Sequence, residues 1–419
     1  SVTGRIRGLD SERDQNALID GGGARHVLKI ANAAEDPRFL ALQNAVLDHI
    51  AAVDPDLGVP RVARAADGRT IVAAATAGET HQLRLLSWLP GELFSAVPKS
   101  PALFESLGRF MGRLSRALRG FGHQAAHRPE FLWNLDGALA VRPWLADIGN
   151  PAERDLAARA LDRFEVHVAP RLGALRAAVI HQDANDNNLI VTGSAAPTVS
   201  GLIDFGDMAF GRQISELAVT IAYAVLGERD LVGTAAAVIG GYAREFPIEA
   251  GEAEILFGLL AARLAMSVAI SSHRSKTRPG NAYLLVSRQT AFETLARLDS
   301  VNPAFLSALA RHAAGLPAVA AHDRIVAWVS SADCKPRSLF DYDLARAGRI
   351  RVALQPRSPG MEHGADPRAY WAWLEGRMRD AGARYAIGLY GEDRDVYKGP
   401  QFASPMTGGY RSRHLGLDL

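Results

Sequence analysis

The chain has 419 residues, of which 48% are hydrophobic and 22% charged, and this composition is typical of a globular protein of two or three domains rather than a disordered or fibrous one. The 47 basic residues nearly balance the 45 acidic ones, and no polybasic tract is present, which argues against a nucleic-acid-binding protein. The single cysteine, Cys334, excludes a disulfide framework within the chain, and together with the lack of a signal-peptide pattern at the start it predicts a cytoplasmic location.

Residues 1–88 are predicted to form a β-rich lobe. Strand patterns occur at residues 17–20, 26–30, 69–75 and 82–88. The first two strands flank the glycines at 21–23, which predicts a β-hairpin, and the apolar spacing of residues 37–51 predicts a helix after it.

Residues 89–330 are predicted to form a mainly helical lobe, starting after the Pro90-Gly91 break. One β-rich island, at residues 179–205, interrupts the helical pattern. It contains two short strand-like runs, at 189–191 and 201–203, joined by a turn of small residues.

The longest apolar run, at residues 255–270, is interrupted by Arg263. A membrane-spanning helix needs about 20 apolar residues. This run is shorter, so we expect a buried helix and no association with a membrane.

Two polar motifs in the β-rich island carry the chemistry. Residues 181–188 read His-Gln-Asp-Ala-Asn-Asp-Asn-Asn, and residues 203–207 read Ile-Asp-Phe-Gly-Asp after the next strand. Phosphoryl transfer requires a carboxylate that orients the attacking hydroxyl and oxygen ligands that hold magnesium near the phosphates. We therefore expect Asp183 to act as the catalytic base, and Asn188 and Asp204 to bind Mg²⁺.

These motifs resemble the catalytic and metal loops of aminoglycoside phosphotransferase-like kinases, and they are most similar to those of the hydroxylysine kinase branch. The resemblance extends over residues 1–325 and implies an α+β, two-lobed protein-kinase-like fold with the nucleotide between the lobes. It implies transfer of the γ-phosphate of ATP or GTP to a small-molecule hydroxyl acceptor that bears an amine. A hydroxylated amino acid or amino alcohol is the favoured acceptor; an aminoglycoside, or a catalytically inactive nucleotide-binding module, is the alternative.

The resemblance also implies where the nucleotide binds. Lys29, in an otherwise apolar strand, would contact the α- and β-phosphates, because a lysine there is costly unless its charge is used; the alternative is a solvent-facing lysine on an edge strand. No glycine-rich loop is present, and Ser11 and Arg13 in the stretch that takes its place are phosphate-binding candidates; the alternative is that this stretch is a polar hairpin turn. The Ser87 carbonyl and the Leu89 amide are expected to bind the base.

The chain departs from the family pattern at the residue that pairs with this lysine. The family usually has a glutamate in the next helix, but the corresponding position is Gln43. We expect either that Gln43 forms a hydrogen bond with Lys29, or that Glu35 or Asp36 is the partner.

The acceptor site is predicted from charge together with what the family resemblance implies. Asp186, Asp207 and Glu216 lie near the catalytic loop in the order of the motifs and would suit an amine, and Arg263 would suit a carboxylate if it faced the cleft. The alternative is that the acidic residues are structural caps or ion pairs, and that Arg263 is a buried or surface pair.

Residues 331–419 have a different composition and are predicted to form a linker and a further module. His414 and Asp418 resemble the first zinc-ligand motif of lysostaphin-type peptidases, but the second motif that such a site needs is lacking, so the module is expected to be incomplete. The alternative is that they are simply a histidine and an aspartate at the end of a strand. The arrangement resembles fusion proteins in which a kinase precedes other modules, so we expect further C-terminal domains in the native protein.

Overall fold

A computed structural model describes residues 4–9, 11, 14–76, 78–277, 282–335, 340–355, 358–359, 366–389, 391–394 and 402–403. The chain divides into two compact units, Ser1–Val319 and Ala320–Leu419. The strands of the first unit are β1 (Arg5–Leu9), β2 (Gln15–Gly21), β3 (Ala24–Ile30), β4 (Val72–Thr76), β5 (Glu79–Ser87), β6 (Glu92–Leu93), β7 (Ala177–Ile180), β8 (Leu189–Thr192), β9 (Thr198–Leu202) and β10 (Ala209–Arg212). Its α-helices are α1 (Pro37–Val53), α2 (Pro101–Ala117), α3 (Pro151–Arg163), α4 (Ala169–Leu172), α5 (Gln213–Ala224), α6 (Leu231–Glu245), α7 (Ala250–Thr277), α8 (Ala282–Asp299) and α9 (Pro303–Ala313).

The N-terminal lobe is an antiparallel sheet with the strand order β1-β2-β3-β5-β4. The turn between β2 and β3 needs residues with positive φ, and Gly22 and Gly23 supply them at 66° and 79°. Helix α1 begins where Asp36 accepts a hydrogen bond from the Arg38 amide and Pro37 occupies the first turn.

The C-terminal lobe is mainly helical, and α7 runs through its core. Among the described residues, α7 is the one helix that is long and apolar enough to cross a membrane. Of its most apolar stretch, 83% is buried in the protein. It therefore has the properties of a core helix in a globular lobe, as the sequence predicted. Helices α2 and α6 approach each other so closely that a side-chain carbon added at Gly108 would lie 2.0 Å from the Val238 carbonyl oxygen.

Two small sheets sit among these helices and carry the polar motifs. Strands β6, β8 and β9 form one sheet, and β7 pairs with β10 in the other. The α+β, two-lobed architecture expected from the sequence is confirmed. Strands β6 and β10 lie outside the predicted β-rich island at residues 179–205, and β7 begins two residues before it. These strands were not predicted, because runs of two to four residues carry too little periodicity to be recognised.

The second unit contains α10 (His322–Val329), β11 (Arg349–Val352), α11 (Pro367–Asp380) and β12 (Tyr385–Gly388). Strands β11 and β12 pair in parallel. His414 and Asp418, the predicted zinc ligands, lie outside the described residues.

Candidate active site

The hairpin of β8 and β9 brings the two polar motifs together. Leu189 pairs with Leu202, and beyond that pair the Ile203 amide donates a 2.9 Å hydrogen bond to the Asn188 carbonyl. Asn188 and Asp204 therefore extend side by side from adjacent strand ends. Asp204 has a φ of 61°, an unfavourable value for a residue with a side chain, and its carboxylate accepts a hydrogen bond from the Gly206 amide at 3.3 Å.

Asp183 is held by amide and hydroxyl donors. Its Oδ2 accepts hydrogen bonds from Asn188 Nδ2 at 2.8 Å and from Asn185 Nδ2 at 3.0 Å, and its Oδ1 accepts one from the Tyr223 hydroxyl at 3.4 Å. Asn188 Nδ2 also donates to the Asp183 carbonyl at 2.9 Å. Since Asn188 uses its NH₂ group for these bonds, its side-chain oxygen remains available as a metal ligand.

Burial raises the pKa of Asp183 to about 7. The positive charge of Arg263 opposes this shift, whereas the negative charge of Asp207 adds to it. Arg263 acts through a chain of contacts, since its Nη2 donates a 3.0 Å hydrogen bond to the Tyr223 hydroxyl that in turn reaches Asp183. A carboxylate that titrates near neutrality is suited to accept a proton from a hydroxyl.

His181 stabilises the catalytic loop (residues 181–188) from its buried side. It is fully buried, and burial lowers its pKa to about 4, so the imidazole is neutral. Its Nδ1 accepts a hydrogen bond from the Asp183 amide at 3.3 Å, which leaves Nε2 to donate to the Ile203 carbonyl at 3.2 Å. The Phe205 ring packs edge-on against it at 4.8 Å. His181 thus connects the two motifs.

Glu216 also lies behind the loop rather than in the cleft. It is 1% exposed, and its Oε2 accepts a 2.5 Å hydrogen bond from the His181 amide. The next residue, Gln182, has a φ of 65°, so the loop is held in a conformation that an L-residue rarely adopts. This geometry favours the alternative in which Glu216 has a structural role, because its carboxylate stabilises the strained loop.

The pH dependence of stability tests this role of Glu216. Burial raises its pKa from 4.5 to about 7, so between these values the folded chain holds one more proton than the unfolded chain, and stability falls as the pH rises. Glu216→Gln is expected to remove about 1–3 kcal/mol of that decline in the free energy of unfolding. Denaturant melts across this pH range measure it.

Glu165→Gln is the matched control, because Glu165 is 57% exposed and pairs with Arg142 on the surface. It should leave the pH slope unchanged, and the slope contributed by Asp183 should persist in both variants. An unaltered slope in Glu216→Gln would mean that Glu216 is ionised in the fold at all of these pH values.

Lys29 reaches into the cleft and approaches residues 204–208, which we call the metal loop because they contain the candidate ligand Asp204. Its Nζ lies 3.7 Å from Asp204 Oδ1. The partners expected from the sequence were wrong in two cases: Gln43 instead accepts a hydrogen bond from Arg84, and Asp36 caps α1 and pairs with Arg38. Glu35 does line the same cavity as Lys29, with no ion pair between them among the described contacts.

A cavity of about 140 Å³ lies between the two lobes. Its lining residues are Ser11, Asp14, Lys29, Glu35, Leu40, Gln43, Asp183, Asp204, Gly206 and Asp207. The structure thus brings Ser11 and Lys29, which are distant in sequence, together with Asp183, Asp204 and Asp207 of the two polar motifs.

Other predicted site residues lie elsewhere. Asp186 is not among the residues that line this cavity, its carbonyl accepts a 2.9 Å hydrogen bond from the Ser95 amide, and Arg263 is only 3% exposed. Ser87 ends β5 and its hydroxyl accepts a 2.8 Å hydrogen bond from the Arg61 amide, and Leu89 follows in the connection to β6. Arg13 lies outside the described residues.

Arg128 was not predicted from the sequence as a site residue, and it holds the metal loop in place through hydrogen bonds. Its Nη1 donates to the carbonyls of Gly206 at 3.1 Å and Met208 at 3.2 Å. Its guanidinium also lies 4.3 Å from the ring centroids of both Phe39 and Phe131. An aromatic sandwich around an arginine stabilises it by cation–π attraction, so α1 and the metal loop are coupled through this side chain.

The donor set fits magnesium rather than a transition metal. Among the described residues there is no cluster of three or more His, Cys, Asp or Glu side chains that could enclose a metal ion. Magnesium does not need such a cage, because it is usually bound by one or two carboxylates together with water and the phosphates of a substrate. The Asn188 oxygen and the Asp204 carboxylate are hard ligands of the required kind.

Comparisons with known proteins agree with this geometry. Residues 5–255 match the sequence profile described as the phosphotransferase enzyme family. Hydroxylysine kinase of Mus musculus is 26% identical over 320 residues, which cover 70% of this chain and 84% of that protein. Hydroxylysine kinase of Xenopus laevis is 28% identical over 322 residues, which cover 71% of this chain and 85% of that protein.

Among solved structures, a microcompartment-associated aminopropanol kinase aligns with a TM-score of 0.56 at 20% identity, covering 75% of this chain and 94% of that one. An amicoumacin kinase in complex with AMP-PNP and Ca²⁺ aligns with a TM-score of 0.53 at 14% identity, covering 71% and 89%. The two-lobed fold is therefore kinase-like.

Proposed function

Because this chain belongs to the phosphotransferase enzyme family, we propose that it transfers the γ-phosphate of ATP or GTP to the hydroxyl of a hydroxylated amino acid or an amino alcohol. It is a small-molecule kinase that acts on a hydroxyl acceptor. The observation that carries the specific proposal is the position of Asp183, which faces the same cavity as Lys29 and Asp204. A base, a cation and a metal-binding carboxylate around one space are the components that phosphoryl transfer requires.

In the proposed reaction Asp183 orients the acceptor hydroxyl and takes its proton. The hydroxyl oxygen forms a bond to the γ-phosphorus, the bond from that phosphorus to the bridging β–γ oxygen breaks, and a nucleoside diphosphate leaves. Asn188 and Asp204 would hold Mg²⁺, which when bound neutralises negative charge on the phosphates. Lys29 would contact the α- and β-phosphates, with Ser11 at the edge of the same cavity.

The charge of the cavity and the names of the relatives support the proposed acceptor class. Asp207 lines the cavity beside Asp183 and would bind the amine of the acceptor. Relatives whose names include hydroxylysine kinase and aminopropanol kinase act on molecules that carry both an amine and a hydroxyl. In this proposal Arg263 positions the base through Tyr223 rather than binding the acceptor, since it is buried.

The experiment is an assay of nucleoside diphosphate release with magnesium, using ATP and GTP in turn. The acceptor panel contains hydroxylated amino acids, amino alcohols, the same molecules without the hydroxyl, and aminoglycosides. Turnover that needs both the hydroxyl and the amine is the expected result. Turnover with aminoglycosides alone would replace the proposed acceptor class, and nucleotide binding without turnover on the whole panel would contradict the proposed reaction.

Tyr223→Phe is expected to lower kcat about 3–10-fold, because it removes one hydrogen bond to the base, and such a bond contributes about 1 kcal/mol. The KM for nucleotide should not change, since the phenol contacts Asp183 and Arg263 rather than Lys29. Steady-state kinetics measure both quantities. Tyr242→Phe is the matched control, because Tyr242 is buried and donates its hydrogen bond to Ser115, at 2.7 Å. Equal losses in the two variants would contradict a specific role for Tyr223.

A further inference from the structure

Arg84 is a buried cation beside the nucleotide cavity. It lies on β5 directly opposite Lys29 on β3, so both side chains project from the same face of the sheet. Arg84 is 3% exposed, and its guanidinium donates hydrogen bonds to Gln43 Oε1 at 2.6 Å and to Asn44 Oδ1 at 3.2 Å. In the part of the chain that the structure describes, no carboxylate lies within ion-pair distance of it.

This environment is unusual for an arginine. Buried charges are nearly always paired with an opposite charge, yet the two side chains that hold Arg84 are neutral amides. Burial lowers the pKa of Arg84 to about 10, so the group remains protonated at neutral pH. Asp14, Glu35 and Asp204 attract it only from a distance. Its positive charge is therefore held in place without being neutralised.

The charge of Arg84 lies directly opposite that of Lys29 on the neighbouring strand. Like charges directly opposite each other on adjacent strands repel. The ammonium of Lys29 lies on the cavity side, 3.7 Å from Asp204 Oδ1. Gln43 lines the same cavity, so a carboxylate at this position would lie beside both cations and would cancel part of their charge.

We propose that Arg84 is a positioning residue for the phosphate donor: fixed by the neutral amides of Gln43 and Asn44, it keeps Lys29 directed into the cleft and adds positive potential for the phosphates of the nucleotide. This inference rests on the proposed function, because it requires that a nucleotide binds in the cavity. Gln43 is then a requirement of the site: its neutrality leaves the charge of Arg84 available.

The first test is Gln43→Glu, studied by calorimetric titration of the full chain with ADP and magnesium and by thermal melting. The new carboxylate should pair with Arg84, so the melting temperature should rise or stay the same while the affinity for ADP falls about 10-fold. A purely structural role of the Arg84–Gln43 pair would not produce this opposite movement of stability and affinity.

The second test removes the charge itself. Arg84→Met is expected to weaken ADP binding about 10-fold, and Arg84→Lys, which keeps the charge, should recover most of the affinity. Arg69→Met is the control, because Arg69 is exposed and pairs with Asp67. If Arg84→Met does not fold, Gln43→Glu decides alone. Unchanged or tighter ADP binding in Gln43→Glu overturns this inference and leaves the proposed function standing, whereas failure of the unaltered chain to bind ADP or ATP overturns both.

Discussion

Asp183→Asn is expected to lower kcat by about 10²–10⁴-fold, which is the range that a positioned general base contributes. The substitution keeps the size of the side chain and one oxygen that can accept the 2.8 Å hydrogen bond from Asn188. What it removes is the negative charge that would receive the proton of the acceptor hydroxyl. Nucleotide affinity should change little, because Lys29 and Arg84 are untouched.

The same substitution should not destabilise the fold. Burial raises the pKa of Asp183 to about 7, which means that the ionised carboxylate is disfavoured in the folded chain. At pH 8 the unaltered chain bears this cost and the amide variant does not, so Asp183→Asn should melt at the same temperature or higher.

Asp162→Asn is the control for this experiment, because Asp162 is 58% exposed and pairs with Arg142 on the surface. Steady-state kinetics with the best acceptor and thermal melting at pH 8 give the two readouts. Full activity in a folded Asp183→Asn variant would assign the base to another residue.

The site residues that could be predicted from the sequence are those that a local motif contains. Asp183 and Asn188 are five positions apart in one loop, and Asp204 follows after a single hairpin. Because such a hairpin places its two ends together whatever the rest of the chain does, spacing alone was sufficient to predict that these residues meet. The β-rich and helical lobes were predictable for a related reason, since strand and helix periodicities are local properties.

The residues that could not be predicted make contacts over long sequence separations. Tyr223 lies 40 residues from Asp183, and in the sequence it is one more apolar residue of a helix that packs in the core. Arg84 lies 41 residues from Gln43, and Arg128 lies 78 residues from Gly206. No spacing rule connects such pairs, because the tertiary fold alone brings them together.

The pairing of Lys29 shows the same limit. The partners expected from the sequence are the acids and the amide that follow Lys29 in the chain, namely Glu35, Asp36 and Gln43. Among the described residues the carboxylate that pairs with Lys29 is Asp204, from the other lobe, and Gln43 accepts a hydrogen bond from Arg84, a cation on the strand next to that of Lys29. Only the alignment of β3 with β5 reveals that Gln43 faces two positive charges.

Asp204→Asn is expected to lower kcat by about 10³-fold or more, because the proposed metal ligand loses its charge. The fold should survive. Asp204 has a φ of 61°, a conformation that asparagine tolerates better than most residues, and the amide oxygen can still accept the hydrogen bond from Gly206. Asp204→Ala should lose the same activity and, in addition, about 1 kcal/mol of stability, since alanine can neither cap the turn nor adopt this backbone conformation easily.

Magnesium titrations separate this role from that of Asp183. The small activity that remains in Asp204→Asn should need a much higher magnesium concentration for half-maximal rate, whereas the residual activity of Asp183→Asn should show the magnesium dependence of the unaltered chain. Asp67→Asn is the control, because Asp67 is half-exposed in a turn and pairs with Arg69. A full rate for Asp204→Asn at ordinary magnesium concentration would remove Asp204 from the metal site. The metal would then depend on Asn188 and on the other carboxylates of the cavity, with Asp207 the first to test because it lies three residues further along the same loop.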